Sequence, residues 1–417
     1  MRIKIVITIC IFNSISFAQE IYKIGSEEIQ SGNFKELYNW KDELKNVNVI
    51  GLGEGNHYMG TTFKSKVGMI KYLHDTLGFN TVAFESGMYD CYKANKLMKE
   101  GKSNSKDFFD ALFPFWRSNE VLELYEYILN SYQTNNPIEF VGIDMQALNL
   151  SKKHLKDDYK TLFDTLKYYS EDVIESERFY ELLEQEIKYS NYFKKFNEED
   201  TTYFGEKMRR ITNIITTNKL DTSTYFSFWS QISKNIIMDF TRMHYDKNER
   251  TTRRDSTMYE SLSWHINQDS TKKIIVWAAS FHLVLDITNV FYNKRQSTGF
   301  NTLGMYCKKN LKEKYYFIAF TPFGGKYGFK EKGLLSSYKV KKTSRNSLEY
   351  FINQKTNYDF AFMSFRNKKN IQLIKDNEIN KTKILGAKET EMTPFNITDA
   401  VFYIKDMSIP KYIFNDR

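Results

Sequence analysis

The stretch Val47-Asn48-Val49-Ile50-Gly51-Leu52-Gly53-Glu54-Gly55-Asn56-His57 decides the fold. Its β-branched beginning reads as a strand, and its glycines read as the turn that ends the strand. An acid and a histidine, Glu54 and His57, then stand at the strand's carboxyl end. In open α/β sheets that edge is where ligands bind. A glycine turn lets backbone come close to a ligand, and a carboxylate beside an imidazole supplies the parts of an acid–base site. An enzyme is the leading reading.

Outward from this stretch, Asn80–Phe84, Ile138–Ile143 and Lys273–Ala278 join Val47–Leu52 as short, nearly continuous apolar runs. That is the pattern of parallel strands covered on both faces. Between the first two runs, Lys66 to Leu73 has helical spacing and is closed by Gly78. Between the second and third, Asn119 to Leu129 is again helical and stops at Asn135-Asn136-Pro137. Alternating strands and helices imply right-handed crossovers and an α/β fold, a mostly parallel sheet flanked by helices. Tyr315–Thr321, Tyr358–Phe365 and Ala400–Lys405 are further strand candidates. Residues 19–150 and 270–417 would then form one α/β catalytic domain. The segment 151–269 has no proline, is rich in Lys, Glu, Tyr and Phe, and repeats at helical spacing, as in Phe179-Tyr180-Glu181-Leu182-Leu183. It predicts a mostly helical, lid-like insertion capping the ligand edge.

Composition sets the outer bounds. A chain of 417 residues that is 41% hydrophobic and 16% aromatic can bury one large core or two moderate ones. With 5 prolines and 19 glycines it is neither a repetitive β protein nor a disordered chain. Arg2 and Lys4, the apolar run Ile5 to Phe12, and Ser16-Phe17-Ala18 read as a signal peptide over residues 1–18, cleaved after Ala18. The run is shorter than the ~20 residues a spanning helix needs, and no later stretch is long enough either. The mature protein is expected to be exported, periplasmic or secreted. Losing the leader lowers the formal charge from +9 to +7. That excess reads as dispersed, for example over Phe365-Arg366-Asn367-Lys368-Lys369-Asn370, with no stripe of the kind nucleic acid requires. Cys91 and Cys307 are the thiols that remain. They could form one disulfide, but they are no framework, and no Cys/His zinc spacing occurs.

The chemistry concentrates at strand ends. The first three strands end in Glu54, Glu85 and Asp144; the fourth runs into Ala279-Ser280-Phe281-His282. Parallel strands would gather Glu54, His57, Glu85, Asp144 and His282 in one crevice. One acid at a strand end is commonly a helix cap or turn former. Four coincident ends, with two of the six histidines, make a purely structural origin for the set the weaker explanation. His74, His154, His244 and His265 fall in helical stretches without a partner pattern and read as surface or boundary residues. Gly51-Leu52-Gly53-Glu54-Gly55-Asn56 mimics a dinucleotide loop, but Asn56 occupies the last glycine position and Glu54 would repel a pyrophosphate. No Gly-x-Ser-x-Gly elbow and no His-Glu-x-x-His occurs, which disfavours serine hydrolases of the α/β-hydrolase type and excludes zincins.

With these residues in view, the chain resembles the erythromycin esterase family. The resemblance runs in order through Val49 to His57, Gly78 to Glu85, Trp116-Arg117-Ser118-Asn119-Glu120-Val121, Val141-Gly142-Ile143-Asp144, Arg254-Asp255-Ser256-Thr257-Met258 and Val276-Trp277-Ala278-Ala279-Ser280-Phe281-His282. It implies a metal-independent hydrolase that opens macrolide lactones. His57 would be the general base, with Glu54 and Glu85 orienting or polarising it. His282 would bind or polarise the ester. Arg254 and Asp255 would support the pocket, with Lys66, Asp144 and Ser280 also placed at the substrate. The family's last element usually reads Trp-Ala-His-Asn-x-His, where this chain has Ala279 and Ser280. Lys66 stands where an arginine is expected.

Three functions are therefore weighed. The first is an exported hydrolase of a small-molecule carboxylic ester, macrolides included, needing no cofactor. The second is a metal-dependent hydrolase in which Glu54, His57, Glu85 and His282 bind Mn, Fe or Zn. The third is a non-catalytic binding protein on the same fold, which Ala279 would favour.

Overall fold

A computed structural model describes residues 21–413 other than 172–174, 191, 193 and 332–333. The leader expected over residues 1–18 lies outside the described residues. Nine strands form the main sheet: β1 (Tyr22–Ile24), β2 (Val49–Glu54), β3 (Thr81–Gly87), β4 (Glu139–Asp144), β5 (Ile274–Ala279), β6 (Tyr315–Glu331), β7 (Leu334–Lys339), β8 (Phe360–Ser364) and β9 (Ala400–Met407). Their order is β1-β8-β9-β6-β2-β5-β3-β4, with β7 paired to β6 outside this path. The six strands from β9 to β4 are mutually parallel, while β1, β7 and β8 pair antiparallel. Every strand expected from the sequence is present. What the sequence did not disclose is that β5 lies between β2 and β3, with Ala279 opposite Glu54.

The central strands are nearly continuous apolar runs up to their carboxyl ends because both faces are covered. Residues of β2 and β3 are all buried, and each face of the sheet carries its own apolar core. The crossovers are α1 (Gly60–Leu77), α2 (Met88–Lys99) and α3 (Asn119–Ser131). Gly78 ends α1 in the left-handed region, φ 68°, and Ser118 caps α3 by accepting the Val121 N–H.

The middle of the chain is helical: α4 (Asn149–Leu166), α5 (Glu177–Tyr189), α6 (Glu198–Thr217), α7 (Thr224–Thr241) and α8 (Lys247–Gln268). These helices bury a separate apolar cluster around Tyr159, Phe179, Phe204 and Trp229. Asp246 starts α8 by accepting the Asn248 and Glu249 N–H groups, and α8 packs along β4. The first turns of α8 thereby reach the carboxyl edge of the sheet.

One expectation changes, and one open question is answered. His74 and His265 are buried rather than at the surface; the His265 ring meets the Gly142 carbonyl at 3.0 Å and so ties α8 to β4. Cys91 and Cys307 are both buried free thiols and do not pair.

Candidate active site

The glycines at the end of β2 work by being thin, not by loosening the chain. A Cβ on Gly53 would come within 2.7 Å of both the Phe317 ring and Ser280 Oγ. One on Gly55 would lie 2.9 Å from the Gly386 backbone nitrogen. Their absence lets the start of the helix Ser280–Leu283 and the 383–386 segment close against the strand end. The strand itself runs on through Glu54.

Glu54 is fully buried and its carboxylate is held from three sides. The Trp116 indole N–H donates to Oε1 at 2.9 Å, Lys66 Nζ pairs with Oε2, and His57 Nδ1 lies 3.1 Å from Oε1. A carboxylate can only accept, so the His57 hydrogen sits on Nδ1 and Nε2 presents its lone pair. The His57 ring stacks on Phe115 at 4.1 Å between centroids and meets Trp116 edge-on. Burial in this setting, joined by the positive charges of His282 and Arg254, outweighs Glu85 and lowers its pKa to about 4. The ring is therefore neutral at physiological pH, with 28% of the side chain exposed.

His282 is in the opposite state. Its Nδ1 lies 2.8 Å from Asp255 Oδ1 and its Nε2 3.2 Å from Glu85 Oε1. Burial would lower its pKa, but Asp255 and Glu85 outweigh burial and hold it at about 10. The ring is an imidazolium with both N–H groups aimed at carboxylates. Arg254 closes the arrangement: Nη2 reaches Glu85 Oε1 at 2.9 Å and its Nε lies 3.2 Å from Asp144 Oδ2. Arg254 Nη1 approaches His282 Nε2 at 3.1 Å, two cationic donors sharing Glu85 as their anion. Glu85 also accepts the Ala279 N–H at 2.9 Å. Burial disfavours its charged form, yet His282 and Arg254 keep the carboxyl well below its usual range.

Of the residues expected from the sequence, Glu54, His57, Glu85, Asp144, Arg254, Asp255 and His282 are thus linked through hydrogen bonds or mutual fields in one crevice. Lys66 lies beneath it. Its side chain is fully buried, Nζ donates to the Ala278 carbonyl at 3.2 Å, and it sits 4.6 Å over the Trp277 ring. Burial pulls its pKa well down, with Glu85 opposing. Ser280 is buried against Gly53, and its Oγ has no hydrogen-bond partner among the described residues. Trp116 and Phe115 had no assigned role from the sequence. Their signal was the Trp116-Arg117-Ser118 element, whose indole could be tied to Glu54 only once the fold was known.

Among the described residues, no group of three or more His, Cys, Asp or Glu side chains is arranged to hold a metal ion. Glu54 is committed to Lys66, Trp116 and His57, and both His282 nitrogens face carboxylates.

Fold and site together define an α/β protein with one neutral and one protonated imidazole at the carboxyl edge of a parallel sheet. The erythromycin esterase family model matches residues 74–407, and the chain belongs to that family of hydrolases. Glu54 and His57 precede the matched span. YbfO of Bacillus subtilis (strain 168) is 25% identical over 319 residues, covering 70% of this chain and 68% of that one. A solved Bacillus cereus protein superposes with TM-score 0.78 at 18% identity, over 95% of this chain and 97% of that one. A histidine-to-asparagine mutant of erythromycin esterase EreC, in its open conformation, gives 0.73 at 15% identity, over 96% and 100%. These two likenesses speak for the fold.

Proposed function

We propose that this protein hydrolyses a carboxylic ester, with a macrolactone as the first substrate to try and with His57 as general base. The observation that carries the reading is the His57–Glu54 pair: a neutral imidazole whose Nδ1–H is fixed at 3.1 Å on a buried carboxylate, leaving Nε2 open. Nε2 takes a proton from water as the oxygen attacks the ester carbonyl carbon. The tetrahedral oxyanion forms beside Arg254 and His282, whose positive charge is already in place. Collapse breaks the acyl C–O bond, and the His57 proton passes to the leaving alkoxide. The products are a carboxylic acid and an alcohol, and no covalent enzyme intermediate is needed.

The helical segment 151–269 belongs to the reading as a cap, since α8 delivers Arg254 and Asp255. Export is part of it too. Among the described residues no helix is long and apolar enough to cross a membrane, and residues 1–18 have the pattern of a leader. N-terminal sequencing of secreted protein should begin at Gln19; an intact Met1 would remove the export reading.

The test is mass spectrometry of a small macrolide and aryl-ester panel incubated with wild type and with His57→Ala. The expected result is a water adduct, or the acid and alcohol pair, from wild type alone. Equal turnover by His57→Ala would remove the assigned base. Activity abolished by rigorous chelation and restored by Mn, Fe or Zn would replace this chemistry with the metal-dependent one. Ligand-induced stabilisation without product from any ester would favour a binding protein.

A further inference from the structure

Glu349 is a buried carboxylate that the ester chemistry does not use. It stands in the first turn of the helix Leu348–Thr356 and is fully shielded from water. Such a group is unfavourable unless donors surround it, and here they arrive from two directions. The Thr321 hydroxyl donates to Oε1 from β6. The Thr382 hydroxyl and the Lys383 N–H donate to the same oxygen at 2.6 and 2.8 Å. Oε2 has no hydrogen-bond partner among the described residues.

Both tethered elements bear on the turn that carries His57. On β6, Thr321 follows Phe320, the residue opposite Glu54 in β2. The 383–386 segment lies against Gly55, the residue after Glu54. A Cβ on Gly55 would come within 2.9 Å of Gly386 N, 3.0 Å of the Ile384 oxygen and 3.1 Å of the Lys383 oxygen. Residues 383–386 belong to no strand, so a ladder does not set their position. Side-chain bonds and a turn do. The Gly386 N–H donates to the Lys383 carbonyl at 3.0 Å. Lys383, itself buried, donates through Nζ to the Phe323 carbonyl at 2.8 Å and to Thr343 Oγ1 at 3.0 Å. One carboxylate oxygen thus spans the gap between the strand beside Glu54 and the backbone wall on Gly55.

We propose that Glu349 is a positioning residue for His57: by bridging Thr321 to Thr382 and Lys383, it holds the 383–386 wall against Gly55 and so fixes the Glu54–His57 pair. Glu349 touches neither His57 nor the ester. The inference rests on His57 as the general base, but the setting of that ring is measured without substrate.

The experiment compares full-length wild type with Glu349→Leu, Glu349→Gln and Thr382→Val. Leucine removes the acceptor, glutamine keeps a carbonyl oxygen for all three donors, and valine removes one donor while keeping the branched shape. Thermal curves set the temperature at which each variant is folded. There the His57 ring midpoint is followed by NMR, and kcat and KM are measured on an ester that wild type hydrolyses. A loosened wall admits water to the ring, so in Glu349→Leu the midpoint should rise from about 4 toward the free value of about 6.5, by about one unit or more. Thr382→Val should move it in the same direction by less. In Glu349→Leu kcat should fall about tenfold or more with KM little changed, and Glu349→Gln should return both readouts to wild type. A residue that only stabilises the fold would leave the midpoint of the folded protein where it is. An unchanged midpoint in folded Glu349→Leu therefore overturns the proposal, as does a glutamine variant as defective as the leucine one. Should Glu349→Leu fail to fold, Thr382→Val decides by the same midpoint. Absence of turnover by wild type counts against the ester reading alone, since the ring midpoint is read without substrate.

Discussion

His282 Nδ1 lies 2.8 Å from Asp255 Oδ1, a carboxylate that α8 brings in beside the short helix carrying His282. Glu85 takes the other nitrogen. One imidazole is therefore kept charged by two carboxylates, while His57 in the same crevice is kept neutral by burial and neighbouring cations. Opposed environments for two like groups separate an acid-like role from a base-like one.

Replacing Asp255 by Asn should move the upper pH limit of kcat/KM. In the wild type His282 holds its proton to about pH 10. Removing the nearer anion should bring the alkaline limb down by about one unit or more. Stability should follow the same group. Its folded value lies above the unfolded one of about 6.5, so its contribution is complete below that pH and is lost as pH rises through about 10. Denaturant titrations at pH 7 and pH 10 should therefore differ more for wild type than for Asp255→Asn. An unchanged alkaline limb would remove the His282–Asp255 link.

The His57 prediction has the opposite sign. A folded value of about 4 lies below the unfolded one. Its contribution to stability is complete above about pH 6.5 and is lost as pH falls toward 4. The acid limb of kcat/KM should accordingly lie near pH 4, well below that of a free imidazole. Following the His57 ring resonance by NMR across pH 3 to 8 would check both; a midpoint near 6.5 would contradict the site as described.

Trp116→Phe tests the support of Glu54. Phenylalanine keeps the ring against Phe84, Phe115 and Trp277 but deletes the N–H that holds Glu54 Oε1 at 2.9 Å. A hydrogen bond to a charged group contributes about 1.5–3 kcal/mol. The expected outcome is a loss in kcat of about tenfold or more with KM little changed, because the indole positions the carboxylate and does not touch substrate. A change confined to KM would instead put Trp116 in the binding surface.

Most of this arrangement was legible in the sequence because parallel strands announce themselves as continuous apolar runs and end abruptly in their polar residue. Glu54, Glu85 and Asp144 were found that way, and His282 by its place just past the end of the fourth strand. The order of the strands was not legible, since β5 enters between β2 and β3 from far along the chain and no local pattern encodes that neighbour. The glycines misled for a related reason. Gly53 was read as turn chemistry, whereas it makes room for Ser280 and Phe317, residues more than 200 positions away. His265 was read as peripheral because its partner is a backbone carbonyl, Gly142, which leaves no trace in side-chain pattern.

Lys66 offers a thermodynamic test of the buried pair. Its ammonium and the Glu54 carboxylate are both fully shielded from water, so neither is stable there without the other. Breaking such a pair from one side leaves a buried charge and costs about 3–5 kcal/mol. Lys66→Met should lower the unfolding free energy by that order in a denaturant titration. It should also depress turnover, because Glu54 loses one of the partners that hold it against His57. Adding Glu54→Gln removes the orphaned charge, so the double variant should recover a good part of the lost stability while remaining inactive. Stability restored without activity would separate the role of the pair in the fold from its role at His57. If the two single losses simply add, Lys66 and Glu54 are not coupled, and the ion pair beneath the site contributes nothing of its own.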